Sequence, residues 1–128
     1  MIHRIQRALD ASPSVAAHGV RVVTCGDDVL TFVADAPPNS RDASGFVATS
    51  TLFALAEAGA QVAAQLEAGR RGSAYRQKSA RIKYYGATRE AVCAIVRVQE
   101  SSPELRVEVS LSTAEGSQLA HYDAHFTA

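Results

Sequence analysis

The sequence predicts a two-layer α+β domain in which a six-stranded, largely antiparallel sheet is covered by one long helix. Three observations carry that prediction. Residues 46–61 (Phe-Val-Ala-Thr-Ser-Thr-Leu-Phe-Ala-Leu-Ala-Glu-Ala-Gly-Ala-Gln) read as a helix apolar on nearly all sides, with Leu52, Leu55, Ala56, Gly59 and Ala63 recurring at spacings of three and four. Such a helix is normally enclosed by the rest of the fold. The segments before and after it are short, alternating or β-branched, and separated by turn residues. With 128 residues, 47% of them apolar, the chain suits one domain over 1–128 with one sizeable core.

Each element follows from local pattern. Residues 2–9 carry apolar side chains at 2, 5 and 9 and make a short amphipathic helix, ended by Asp10-Ala-Ser-Pro13. Residues 19–25 and 29–34 flank Gly26-Asp27-Asp28 and form a hairpin, stopped by Pro37-Pro38. The loop at 39–45 holds several side chains suited to helix capping. The central helix is expected over about 47–67, stopping at Gly69, with Arg70 and Arg71 favourable at its C-terminus. Gly59 inside it points to close helix–sheet contact.

The remaining sequence reads as four strands in a meander. Residues 75–85 alternate, with Ala80, Ile82 and Tyr84 on one face and Gln77, Ser79, Arg81 and Lys83 on the other. Residues 91–98 are almost continuously apolar, as expected of a strand buried on both sides. A turn at Ser101-Ser-Pro-Glu104 leads to 105–111, and Ala114-Glu-Gly-Ser117 leads to 119–127. One helix cannot shield every strand edge, so a homodimer that continues the sheet across a two-fold axis is expected.

Thirteen basic and thirteen acidic residues cancel, which removes the global electrostatic case for nucleic acid or a membrane surface. The start, Met-Ile-His-Arg-Ile-Gln-Arg, lacks the apolar core of a secretory signal, and no apolar run approaches the roughly 18 residues of a membrane span. Cys25 and Cys93 sit in separate predicted strands without metal-ligand spacing and fit a reducing cytoplasm.

The order of elements, and the segment Leu-Phe-Ala-Leu-Ala-Glu at 52–57, resemble the hotdog-fold acyl-CoA thioesterases of the phenylacetate-pathway type. Their helix reads roughly His-Gly-Gly-x-x-x-x-Leu-x-Asp/Glu. Related thioesterase-like hotdog proteins carry a loop Asn followed after a few residues by Phe and then Ser-Leu-Phe-Ala-Leu-Ala. The stretch from Arg81 to Val98 resembles the strand pair that follows the helix in the first group. The resemblance implies a sheet curled around the central helix and a dimer or tetramer. It also implies hydrolysis of an acyl thioester with no metal or redox cofactor, coenzyme A being part of the substrate.

By that resemblance Glu57 matches the catalytic carboxylate, as base or nucleophile. Thr49 stands where the family has the glycine whose N–H polarises the thioester carbonyl. Ala48 replaces the preceding His, and Ser50 the second Gly. Asn39 best matches the upstream carboxamide, with Asp42 the runner-up. Phe46 and Phe53 would line the acyl slot, and Ser50 lies beside them at the helix start. Arg76, Lys78 and Arg81 belong to a basic cluster with Arg70, Arg71 and Lys83 suited to the phosphates of coenzyme A.

Each residue also has a plainer reading. Glu57 could be neutralised by a cation across a dimer seam, Asn39 could form an Asx-turn, Ser44 a cap, and the basic cluster a solvated face. His121, Asp123 and His125 share a strand face but are spaced too widely for one small ion, so surface positions are expected. His3 and His18 are isolated. A non-catalytic hotdog protein that binds acyl thioesters or only assembles is the alternative function, supported by the missing His-Gly-Gly. A hotdog dehydratase or hydratase ranks last, because it wants a catalytic histidine paired with a carboxylate, and no histidine is expected near the central helix or its entry loop.

Overall fold

One long helix and one sheet account for most of the computed structural model, which describes residues 1–128 apart from Ser73, Ser102 and Pro103 and the side chains of Ser14, Glu100 and Ser101. The elements are α1 (Ile2–Asp10), α2 (Pro13–Ala16), β1 (Val20–Cys25), β2 (Val29–Ala34), a 3-10 turn at Pro38–Ser40, α3 (Thr49–Arg71), β3 (Arg76–Tyr84), β4 (Val92–Ser101), β5 (Glu104–Ser112) and β6 (Gln118–Thr127). The expected α+β class holds: six strands in the order β1-β2-β4-β5-β6-β3, with every neighbouring pair antiparallel. Helix α3 lies across β4, β5 and β6. Alternate residues of the strands beneath it are buried, among them Phe32, Val96, Val109, Leu111, Tyr122 and Phe126.

Gly59 has the role its position implies. A Cβ there would stand 3.0 Å from Val96 Cγ2 and 3.2 Å from Phe32 Cε2, so the bare backbone lets α3 settle onto β2 and β4. The helix is displaced from its expected bounds at both ends. It begins at Thr49, because Val47 is held in a bridge with Arg41 and its N–H donates to the Thr88 carbonyl at 2.8 Å. It runs past Gly69 to Arg71, and Gly72 closes it in the left-handed conformation at φ 66°. Near the N-terminus, Pro13 starts α2 at its first position instead of merely ending α1.

The meander contains three strands, β4, β5 and β6, and not four. Strand β3 pairs with β6 at the far edge, two strands away from β4. Its link to β4 runs past the start of α3, where Thr88 accepts from Val47, a path no tight hairpin could take. The expected alternation of β3 is broken by a bulge between Gln77 and Ser79. Gln77 therefore faces the helix with Ile82 and Tyr84, while Arg76, opposite Thr127, joins Arg81 and Lys83 on the outer face. Strand β4 is buried on one face only: Val92, Ala94 and Val96 are enclosed, and Cys93 and Ile95 are half-buried. The turn expected at 101–104 has Ser102 and Pro103 outside the described residues.

The two sheet edges are treated differently. Along β1, the Gln6 side-chain amide of α1 donates to the Val20 carbonyl at 2.9 Å and accepts from the Val22 N–H at 2.8 Å, so it stands in for a neighbouring strand. Edge β3 has no such cover among the described residues and is mostly exposed. Large apolar side chains also emerge on that side: Phe53 is 38% exposed, Tyr84 42% and Tyr85 51%. Tyr84 and Phe53 are tied to one place, since the Tyr84 hydroxyl donates to the Thr49 carbonyl one turn before Phe53.

Candidate active site at the start of the central helix

The loop before α3 is built by two arginines and an aspartate. The Arg41 guanidinium donates to the carbonyls of Ala36 (2.8 Å), Gly45 (3.0 Å) and Arg89. That grip holds Ala36 at φ 52°, a conformation non-glycine residues rarely adopt. Asp42 accepts from the N–H groups of Ser44 (2.8 Å) and Phe46 (3.1 Å), forming an Asx-turn that occupies the carboxylate proposed as the alternative to Asn39. Arg89 donates to the Ser44 carbonyl and lays its guanidinium 4.0 Å from the centre of the Phe46 ring.

The helix itself starts without a side-chain cap, contrary to the expectation from the polar loop. Its N-cap is Ala48, and Ser44 takes no capping role. The Ser40 carbonyl accepts from the Ala48 N–H (3.0 Å) and the Thr51 hydroxyl (2.8 Å), which fixes the first turn to the 3-10 turn bearing Asn39. Among the described residues no acceptor meets the N–H groups of Thr49 and Ser50, and both residues are exposed. Two free N–H groups at the positive end of a 23-residue helix are a ready site for a developing negative charge. Asn39 is exposed on the neighbouring turn. His18, isolated in sequence, reaches this same turn with Nδ1 at 2.5 Å from the buried Ser40 hydroxyl, so a histidine does stand at the loop.

Two turns into the helix, Glu57 is half-buried, between Phe53 and Gln61 at spacings of four. Among the described residues the most enclosed carboxylate is instead Glu67, 2% exposed, with Arg70 Nη1 at 2.7 Å and Arg71 Nε at 3.5 Å. The Glu-x-x-Arg-Arg spacing was the available signal, since positions three and four apart share a helix face. Glu57 has no hydrogen bond or ion pair among the described residues. Facing it are Tyr122, whose ring meets Phe53 edge-on at 6.0 Å between centres, and the chain Gln61–Gln77–Tyr122 at 2.6 and 3.4 Å. Burial pushes the Tyr122 phenol upward; the Gln77 hydrogen bond opposes this, and the Glu57 charge adds to it.

The basic residues are divided by the fold. Arg70 and Arg71 serve Glu67, and Lys78 lies at the bulge, 3.4 Å from Glu104. Arg76, Arg81 and Lys83 occupy the outer face, across the sheet from Glu57. On that outer face Asp123 is held bidentately by Arg106 at 2.9 and 2.7 Å, which keeps its carboxyl below the usual range. His125 is 3.8 Å from Asp123 and His121 is 3.4 Å from the Ser110 hydroxyl. No metal-binding cluster forms among the described residues.

No protein-family model and no curated protein matches the chain in sequence. Its fold does match. A putative thioesterase from Shewanella oneidensis superposes with a TM-score of 0.81 at 13% identity, covering 99% of this chain and 96% of that one. A mutant of a thioesterase from Pseudomonas aeruginosa gives 0.79 at 12% identity, covering 99% and 92%. A mutant of the phenylacetic acid degradation protein PaaI from Thermus thermophilus gives 0.75 at 18% identity, covering 91% and 98%. The chain shares the hotdog fold of these structures, as its element order implied.

Proposed function

We propose that this protein is an acyl-CoA thioesterase in which Glu57 is the general base. The observation that carries the reading is a half-buried carboxylate with no hydrogen bond or ion pair among the described residues, on the same helix whose uncapped first turn presents two N–H groups. Water would attack the thioester carbonyl carbon as Glu57 takes its proton. The Thr49 N–H, with that of Ser50 and the Asn39 carboxamide, would hold the oxyanion. The carbon–sulfur bond then breaks, and the thiolate leaves with the proton from Glu57. Coenzyme A enters only as part of the substrate, and no other cofactor is called for.

The open β3 edge supports self-association, because an uncovered strand flanked by Phe53, Tyr84 and Tyr85 is an aggregation hazard unless a second copy continues the sheet. The acyl group would lie against Phe53 and Phe46 in the slot formed with that copy. Arg76 and Arg81 face away from Glu57 on the outer face of β3 and Lys78 lies against Glu104, so they would meet the coenzyme phosphates only where the substrate wraps around the end of the strand. No described helix is long and apolar enough to cross a membrane. Two free cysteines suit a reducing cytoplasm. The β-branched Thr49 side chain, crowding the carbonyl's approach, favours the second reading: a hotdog protein that binds acyl thioesters without turning them over.

A thiol-release screen with acetyl-, hexanoyl-, palmitoyl- and benzoyl-CoA tests the proposal. One acyl class should be hydrolysed well above the rest. Flat background rates across the panel would leave the binding reading in its place.

A further inference from the structure

We propose that Tyr122 holds the attacking water against Glu57, and that Gln77 and Gln61 are the positioning residues that fix its hydroxyl. This rests on the thioesterase reading and adds residues to the same site. Phe53 and Gln61 flank Glu57 at four positions before and after it, and both lead to Tyr122: Phe53 through ring contact, Gln61 through Gln77. The carboxylate therefore lies between two side chains converging on one phenol. In sequence, Tyr122 lies on the strand face opposite His121, Asp123 and His125, with no motif that marks it as a site residue. The bulge in β3 turns Gln77 toward the helix and so completes the set.

The direction of the hydrogen bonds gives the phenol its role. Gln61 Nε2 donates to Gln77 Oε1 at 2.6 Å, and Gln77 Nε2 donates to the Tyr122 oxygen at 3.4 Å. The phenol oxygen is thus an acceptor, and its own hydrogen has no acceptor among the described residues. A buried hydroxyl rarely leaves its hydrogen unused. Tyr122 is enclosed, and the Glu57, Gln61 and Gln77 side chains beside it are half-buried; in this proposal one enclosed water lies between the hydroxyl and Glu57. A water there accepts from Tyr122 and donates to Glu57. Its remaining lone pair is then free to form the bond to the thioester carbon, while one water proton moves to Glu57 and the other stays on the product acid.

The test compares the parent protein with Tyr122→Phe, Gln77→Leu, the double variant and Glu57→Gln on whichever panel acyl-CoA the parent hydrolyses fastest. Tyr122→Phe keeps the ring against Phe53 and should lower kcat about ten-fold, the size of one lost hydrogen bond, with KM unchanged. Gln77→Leu should lower kcat in the same direction. The double variant should be no slower than Tyr122→Phe alone, because Gln77 acts through the phenol. A merely structural pair would instead lower the unfolding midpoint and leave kcat of the folded fraction alone. Parent-like kcat in Tyr122→Phe beside an inactive Glu57→Gln overturns this proposal and leaves the thioesterase reading standing. If Tyr122→Phe does not fold, Gln77→Leu decides alone: a parent-like kcat overturns the proposal. Full turnover in Glu57→Gln, or no turnover by the parent, overturns both.

Discussion

Replacing Gly59 by alanine sets two opposed effects against each other at a close helix–sheet contact. Alanine removes backbone freedom from the unfolded chain and favours helix, worth about 1 kcal/mol. The new methyl, however, would lie 3.0 Å from Val96 Cγ2 and 3.2 Å from Phe32 Cε2, several tenths of an ångström inside ordinary carbon contact. Val96 and Phe32 are each 1% exposed, so neither can swing into solvent to make room. Overpacking of a closed core costs about 1–3 kcal/mol. The net expectation is a loss of about 1 kcal/mol for Gly59→Ala, and a larger loss for Gly59→Val, whose β-branching adds volume toward the same two side chains. Urea unfolding followed by circular dichroism measures it, at matched protein concentration so that any self-association contributes equally to both midpoints. A Gly59→Ala protein more stable than the parent would show that α3 can lift from β2 and β4, and would refute the reasoning.

Three further outcomes are expected. Thr49→Gly should raise turnover of bulky acyl groups if the threonine crowds the carbonyl, at a helix cost of about 0.5–1 kcal/mol; if its hydroxyl serves the oxyanion, Thr49→Gly should lower turnover and Thr49→Ser should keep most of it. Identical kinetics in both variants would move the reaction away from the helix start. Asp123, whose carboxyl is lowered chiefly by the Arg106 hydrogen bond, stabilises the native state above the ordinary carboxylate range, and that contribution is lost as pH falls through its lowered native value. Asp123→Asn should therefore weaken the protein at neutral pH and flatten its acid dependence, as read from unfolding midpoints at stepped pH; an unchanged acid limb would contradict this. The open β3 edge predicts a dimer or larger assembly by light scattering at micromolar concentration, and a monomer would remove the shared acyl slot with it.

Much of this architecture is legible from local pattern. The alternation of Leu105, Val107, Val109 and Leu111 in β5 and the small-residue helix face around Gly59 have direct sequence signals, and the structure buries both. What is not legible depends on contacts distant in sequence. The bulge at Gln77 and Ser79 reverses the phase of β3, and no turn residue marks it; only pairing with β6 reveals it. The edge position of β3 likewise follows from where its connection can pass, since local sequence carries strand propensity but not strand order. Within the site, Glu57 is conspicuous as a charge among alanines. The free N–H groups at Thr49 and Ser50 are not, because they arise from the absence of a cap in a loop rich in capping residues. Gln6 closing β1, and His18 reaching Ser40, depend on side chains that meet across 14 to 22 positions.

The central claim is that the Glu57 carboxylate, two turns into α3, activates water for attack on an acyl thioester. Thiol release from the preferred acyl-CoA by folded Glu57→Gln protein, compared with the parent at equal assembly state, tests it most directly. The amide keeps shape and hydrogen bonding but cannot take a proton, so turnover should fall about 100-fold or more, with ligand binding kept. Turnover equal to the parent's would contradict the claim.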